Sequence, residues 1–143
     1  MTDIQAAIGL VQLSKLDTLV QRRRELAQRY QDRLSGLPGV LMIADPPGGT
    51  TNYQSFWVLL PDSSPCDRNQ LMARLGLEGI SARRGIMAAH LEPAYASQTG
   101  APLPVTEMLT SQSLILPLFH QMTESEQDRV VTAMVGALEP VPA

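Results

Sequence analysis

Thr2–Ser35, TDIQAAIGLVQLSKLDTLVQRRRELAQRYQDRLS, is the stretch whose reading decides the fold. It predicts one long helix. Thr2 and Gln5 have capping-box spacing, in which the hydroxyl accepts from the third helical N–H and the amide reaches back to the cap. No proline intervenes before Pro38, and Gly36 offers a stop. At 1.5 Å per residue the rod runs on the order of 50 Å. A compact chain of this length has a radius of gyration of about 14–15 Å, so a straight rod overhangs its own domain.

The two halves of the rod ask for different surroundings. At 100° per residue, Leu16, Leu19, Val20, Leu26, Ala27, Tyr30 and Leu34 form one stripe, and Lys15, Arg22, Glu25, Gln28, Arg29 and Asp32 take the other side. In the first half, Ile4, Ala6, Ala7, Ile8, Leu10, Val11 and Leu13 spread nearly all the way round, with Gly9 permitting close approach. A helix apolar on every side needs burial on every side. Residues 1–13 are therefore expected to pack against protein outside this sequence. Arg22-Arg23-Arg24 divides around the helix, leaving Arg22 on a solvated face with Arg29 and Arg33. Arg23 points into the apolar stripe and is expected to snorkel or to pair with a carboxylate.

Working outward, 143 residues suffice for one domain with a real core, but not for two. A formal net charge of -3 gives no electrostatic case for nucleic acid or an anionic membrane surface. A lone cysteine, Cys66, excludes an internal disulfide framework and fits a reducing compartment. The N-terminus lacks a signal-peptide pattern. The longest notable apolar run, LILPLF, is broken by Pro117. The expected location is cytoplasmic.

Beyond the rod, Val40 to Ile43 suits a strand, followed by a turn-rich loop at 45–52. Tyr53 to Leu60, YQSFWVLL, is the clearest strand. Asp67 with Gln70 caps a helix expected to end before Gly76. Gly79 to Arg84 reads as a strand, 85–102 as a long irregular segment, Val105 to Gln112 as a short helix and Leu114 to Leu116 as a short strand. Thr123 with Glu126 caps a last helix carrying Val130, Val131, Met134 and Leu138 on one side, ended by Pro140. The fold class is α+β: a small, mainly antiparallel sheet covered by helices and preceded by the long N-terminal helix.

Few residues carry chemistry. His90 and His120 are the only histidines, and with one cysteine not closely spaced to them they give no metal site. His90, Arg83, Arg84 and Tyr95 on one long loop suit an anionic or hydroxylated ligand. A surface histidine satisfied by a neighbour is the plain alternative. His90-Leu91-Glu92 matches half of a zinc deaminase signature whose P-C-x-x-C half is absent. There is no G-x-S-x-G elbow, and Gly48-Gly49-Thr50-Thr51 lacks the lysine of a phosphate-binding loop. The chain contains one lysine, Lys15, placed on the polar side of the helix among arginines. Schiff-base chemistry needs a lysine amine activated by its surroundings, so no catalytic residue is assigned.

Three collinear stretches, MTDIQAAIGLVQLSKL, GISARRGIMAAHLEPAY and LILPLFHQMTESEQDRVVTAM, together resemble the C-terminal part of DegT/DnrJ/StrS-type aminotransferases. The resemblance covers essentially the whole chain. It implies fold-type-I architecture: a large domain carrying pyridoxal phosphate, a small C-terminal domain, and a dimer with its active site at the interface. Residues 1–143 then correspond to the small domain, with 1–36 as the helix joining it to an absent large domain. The resemblance also implies amination of nucleotide-linked keto-sugars, with glutamate as donor. The family's aldimine lysine and its carboxylate facing the pyridine nitrogen lie upstream and match no residue here; Lys15 does not correspond to that lysine. The isolated chain is accordingly expected to bind no cofactor and to be inactive. Arg83, Arg84 and His90 match the family's loop near the substrate, and Gln54 and Ser55 match a strand position near it. Where relatives carry aromatic residues before the histidine, this chain has Ile86-Met87. A different class of reading is a stand-alone dimerisation module without catalysis, which the apolar first half of the helix also suits.

Overall fold

Phe56-Trp57-Val58-Leu59 and Ser113-Leu114-Ile115-Leu116 pair antiparallel at the centre of a four-stranded sheet, and the rest of the chain is arranged on that pair. The computed structural model describes residues 1–95, 97 and 100–139. In chain order the elements are α1 (Asp3–Leu13), α2 (Leu16–Leu34), β1 (Leu41–Met42), β2 (Phe56–Leu59), α3 (Arg68–Leu77) and β3 (Arg83–Arg84). Two 3₁₀ turns follow (Ala89–Leu91 and Pro93–Tyr95), then α4 (Pro104–Gln112), β4 (Ser113–Leu116) and α5 (Glu124–Leu138). The strand order is β1-β2-β4-β3 and every pair is antiparallel. This is the expected α+β class.

Alternation along the strands gives the sheet two unlike faces. Phe56, Val58, Leu114 and Leu116 point inward, where they join Leu26, Ala27, Tyr30 and Leu34 of α2, Leu71 and Leu75 of α3, and Val130, Val131 and Met134 of α5 in one core. Tyr30 stacks on Phe56 with ring centroids 5.0 Å apart. Its hydroxyl donates to the Pro117 carbonyl at 2.9 Å, so the ring's polar tip is satisfied where it is buried. Burial pushes the phenol's pKa up. The other face carries Trp57 and Ile115, both half-buried. Leu59 and Ser113 on that face are buried, and Leu109 of α4 lies beside Trp57 and Ile115, so α2, α3 and α5 pack the inner face while α4 reaches part of the outer one.

The N-terminal rod differs from its sequence reading in one respect: it is two helices, interrupted at Ser14 and Lys15. The expected capping box of Thr2 and Gln5 is formed. At Ser14 the hydroxyl donates to the Val11 carbonyl at 2.9 Å, and the Lys15 N–H bonds the Gln12 carbonyl at 3.1 Å. These i to i−3 bonds tighten the turn and interrupt the i to i−4 ladder, although Ser14 and Lys15 both keep right-handed helical backbone. Serine in a helix competes for backbone carbonyls in this way. None of α1 is buried; Ile4 is 75% and Leu10 69% exposed. The other described residues do not shield it.

Three further elements depart from expectation, each for a local reason. α3 runs through Gly76 to Leu77 and stops at Gly79, whose φ is +71°. There Ile80 N–H bonds the Leu75 carbonyl and Gly79 N–H the Gly76 carbonyl, the two bonds of a Schellman cap. That cap takes up the first part of the expected 79–84 strand, leaving Arg83–Arg84 as β3. β2 starts at Phe56 instead of Tyr53, because Tyr53 has φ 47° and Asn52 Oδ1 accepts from the Gln54 N–H. Gln54 and Ser55 therefore form a bend ahead of the strand, not a strand position. The 85–102 segment contains the two 3₁₀ turns. The caps of α3 and α5 form as read, Asp67 with Gln70 and Thr123 with Glu126. Pro140, the expected end of α5, lies outside the described residues.

The unequal burial of two leucines gives a test of this packing. Leu114→Ala, at a site 0% exposed, is expected to cost about 2–5 kcal/mol. Leu77→Ala, at a site 90% exposed, should change stability by no more than about 0.5 kcal/mol. Urea denaturation midpoints of the two variants check both values.

Candidate functional site

The site is built on the outer face and near edge of the sheet. Register places Arg83 opposite Ile115 and Arg84 opposite Leu114. Directly opposed residues share a face, so the two arginines leave the strand on opposite sides. Arg83 goes to the outer face, where its Nη2 lies 3.4 Å from Ser55 Oγ. Gln54, Ser55, Ser81, Arg83 and Ile115 line a cavity of about 250 Å³ floored by Pro117 and its neighbours. Arg84 goes to the helix side, where its charge adds to burial in pushing the pKa of Arg68 down, burial being the larger cause. Arg68, itself buried, donates to the carbonyls of Thr110 and Ser113 at 3.1 and 3.2 Å and so ties α3 to the end of α4.

What presents Gln54 and Ser55 is a clamp from α2. Arg23 donates through Nε to the Tyr53 carbonyl at 3.0 Å and through Nη2 to the Gln54 carbonyl at 2.7 Å. Its partners are backbone carbonyls, and the carboxylate that was one of the two alternatives read from sequence is not among them. Arg24 donates to the Thr51 carbonyl and, at 2.7 Å, to Asp45 Oδ2, with its guanidinium 5.8 Å from the centre of the Tyr53 ring. Arg22 reaches the Met122 carbonyl at 3.0 Å. Arg29 and Arg33 pair with Asp128 of α5 at 3.0 and 3.1 Å. The face read as merely solvated instead fastens α2 to its neighbours. The Arg24 guanidinium, joined by the Thr51 N–H, holds the Asp45 carboxyl below the ordinary carboxylate range.

His90 belongs to a separate corner. Its Nε2 lies 3.0 Å from Glu107 Oε1, linking the first 3₁₀ turn to the first turn of α4. The same oxygen accepts from the Leu103 N–H at 3.2 Å. Those two bonds, His90 first, hold Glu107 below the usual glutamate range. Of the five residues singled out by sequence, the structure therefore brings Gln54, Ser55 and Arg83 together; Arg84 and His90 stand apart from that cavity. Gly85 closes the edge: a Cβ there would overlap Ser113 Oγ and lie 2.7 Å from Ser113 Cβ. Only glycine lets the chain pass β4 so closely.

Comparison with known proteins now bears on this arrangement. A model of the DegT/DnrJ/EryC1/StrS aminotransferase family matches residues 1–135. The chain belongs to that family. Among solved structures it is similar to the aminotransferase TlmJ from Streptoalloteichus hindustanus, with 32% identity and a TM-score of 0.86. DesV of S. venezuelae, solved in complex with a ketimine intermediate, is 30% identical with a TM-score of 0.85. DesI, solved in the presence of its TDP-sugar product, is 30% identical with a TM-score of 0.83. Each alignment covers 96% of this chain and 37% of the relative, so the chain spans little more than a third of their length.

Sequence reasoning missed two participants: Ser81 at the cavity, and Glu107 as the partner of His90. Glu107 had a usable signal, since Pro104 at the first helical position marks the start of α4 one residue before the start expected. An acidic residue one turn into that helix is placed to reach back to its free N–H groups.

Acid should release the loop that carries Gln54. Asp45 has a depressed folded-state pKa, so its contribution is complete above the ordinary aspartate range and is lost as pH falls through the folded value. Amide exchange at Tyr53 and Gln54, followed from about pH 5 down to about pH 2 after correction for intrinsic rates, should show protection falling in the wild type. In Asp45→Asn protection should be lower throughout and nearly independent of pH.

Proposed function

We propose that this chain is the C-terminal, small domain of a pyridoxal-phosphate-dependent aminotransferase that moves an amino group from glutamate to a nucleotide-linked keto-sugar. The observation that carries the reading is the family match over residues 1–135 in a chain spanning 37% of relatives such as DesV and DesI. The bare, all-apolar α1 fits it, as the surface on which a large domain would seat. In this reading two copies of the intact enzyme form a dimer in the cytoplasm. Among the described residues no helix is long and apolar enough to cross a membrane.

The residues present do not make a cofactor site by themselves. Lys15, the only lysine, is exposed at the junction between α1 and α2. An aldimine lysine is normally desolvated or set beside another cation within a pocket. The cofactor's hold and the bond-breaking steps are therefore assigned to the large domain, and this chain to the substrate. Arg83 offers a guanidinium suited to a diphosphate. Ser55 and Gln54 offer hydroxyl and amide groups suited to sugar or base, and His90, at its separate corner, offers an imidazole. Arg84, turned to the other face, is left out of that contact.

A second reading, a stand-alone dimerisation module without catalysis, is favoured by the same exposed α1. The reading frame upstream of Met1 discriminates the two. A lysine-bearing large domain in frame supports the enzyme, and a start codon with its own ribosome site supports the module. Two expected outcomes follow for the chain and for the enzyme. Incubated with pyridoxal phosphate and reduced with borohydride, the isolated chain should show no adduct on Lys15 by peptide mass; stoichiometric labelling there would overturn the assignment. In the intact enzyme, Arg83→Ala should raise KM for the nucleotide sugar about 10-fold or more while kcat changes little, as for a contact made equally in ground and transition states.

A further inference from the structure

The His90–Glu107 pair joins two segments 17 residues apart in sequence, and both side chains are only partly exposed, 33% and 41%. Glu107 sits in the first turn of α4, whose cap residue Leu103 has no side chain able to cap it. By accepting from the Leu103 N–H as well, its Oε1 fastens the histidine turn to the helix start at a single point. Ala88, the residue before that turn, is buried, which anchors the turn from its other end. Among the described residues the second ring nitrogen of His90, Nδ1, makes no hydrogen bond. An imidazole with one nitrogen tied to a carboxylate and the other unpartnered has its tautomer and its ring plane set by the tie.

We propose that Glu107 is a positioning residue: it holds the neutral His90 ring in the Nε2–H form, so that Nδ1 faces outward as an acceptor for a ligand hydroxyl. The identity of the ligand as a sugar nucleotide rests on the function proposed above; the tie between Glu107 and the tautomer does not. An ionised carboxylate can only accept, so Nε2 must be the donor in this pair, and in the neutral ring that leaves the lone pair on Nδ1. A sugar hydroxyl can donate to that lone pair. A phosphate oxygen, which has no proton to give when ionised, cannot. His90 is thereby matched to the sugar, and Arg83, with its guanidinium, to the phosphates. When the ring is protonated Nδ1 also becomes a donor, and the preference for a hydroxyl donor is lost. Among the described residues the charged partner of His90 is Glu107, and Glu92 caps the end of the histidine turn.

Nitrogen NMR of the full 143-residue chain, labelled at histidine and held at a pH where His90 is neutral, reads this directly. The wild type should show His90 Nδ1 as an unprotonated, acceptor-type nitrogen and Nε2 as the protonated one. Glu107→Gln, whose amide oxygen can still accept from Nε2–H, should keep that pattern. Glu107→Ala should move both nitrogens toward the averaged values of a free ring, with the amide spectrum of the core unchanged. An Nδ1–H form in the wild type, or an identical pattern in Glu107→Ala, would overturn the proposal. Adding a TDP-linked sugar to the wild type supplies a second arm, run on the intact enzyme where the isolated chain does not bind it. A shift at His90 Nδ1 that is weaker by several fold in Glu107→Ala supports the hydroxyl contact. Binding with no change at Nδ1 would overturn the contact and leave the tie to be decided by the tautomer alone. Failure of the intact enzyme to bind the sugar nucleotide at all would refute the proposed substrate instead.

Discussion

Everything in this domain depends on the register between β2 and β4. With Phe56 opposite Leu116 and Val58 opposite Leu114, four large side chains fall on one face and meet Tyr30 and its neighbours on α2. With Trp57 opposite Ile115, the other face receives residues that α2, α3 and α5 do not cover. A slip of one residue would exchange the two sets, putting Trp57 into the core and Phe56 into the open. The same register decides the site, since β3 is read off β4: it is the pairing of Arg83 with Ile115 that sends this guanidinium to the outer face and Arg84 to the helix side. Sheet energetics and ligand geometry are one constraint here.

The second level of organisation is electrostatic, and it runs through backbone carbonyls more than through carboxylates. Arg23 bonds the Tyr53 and Gln54 carbonyls, Arg24 the Thr51 carbonyl, Arg22 the Met122 carbonyl, and Arg68 those of Thr110 and Ser113. Irregular segments leave carbonyls without ladder partners, and a buried one left unpaired is costly. A planar guanidinium carries several donors in fixed geometry and can serve two carbonyls at once. Arginine, not lysine, is therefore the useful cation for holding loops on a helix, and the chain's basic residues are arginine with one exception.

What could be read from sequence follows from range. All three capping boxes, Thr2 with Gln5, Asp67 with Gln70 and Thr123 with Glu126, form as spaced, because each closes within one helical turn. The apolar stripe of α2 and the strand around Trp57 were legible for the same reason: period alone fixes which residues face the core. The break at Ser14 was not, since it involves one hydroxyl choosing the Val11 carbonyl. Nor were the partners of Arg23 and Glu107, which lie 30 and 17 residues away and exist only once the sheet has placed both loops. Arg83 and Arg84 are the instructive case. Adjacent residues in a strand point to opposite faces, so the strand reading of 79–84 already contained their separation, but grouping them as one basic pair on a loop hid it.

Two surfaces of the domain are left without partners from the chain itself, and they differ in kind. α1 is apolar on nearly every side, with no buried residue and with Ile4, Ile8, Leu10 and Val11 all exposed. The outer sheet face sets Ile115 with Arg83, Ser55 and Gln54 around a shallow cavity, with Trp57 half-buried on the same face. Permanent interfaces are built like a core cut in half, apolar throughout, whereas sites that fill and empty keep polar groups to set orientation. By that criterion α1 suits a partner that stays, and the sheet face one that leaves. The break at Ser14 and Lys15 lies between α1 and the part of α2 that is packed on the core. The bare apolar helix and the arginine contacts that hold the sheet face in shape therefore belong to separate stretches of the rod.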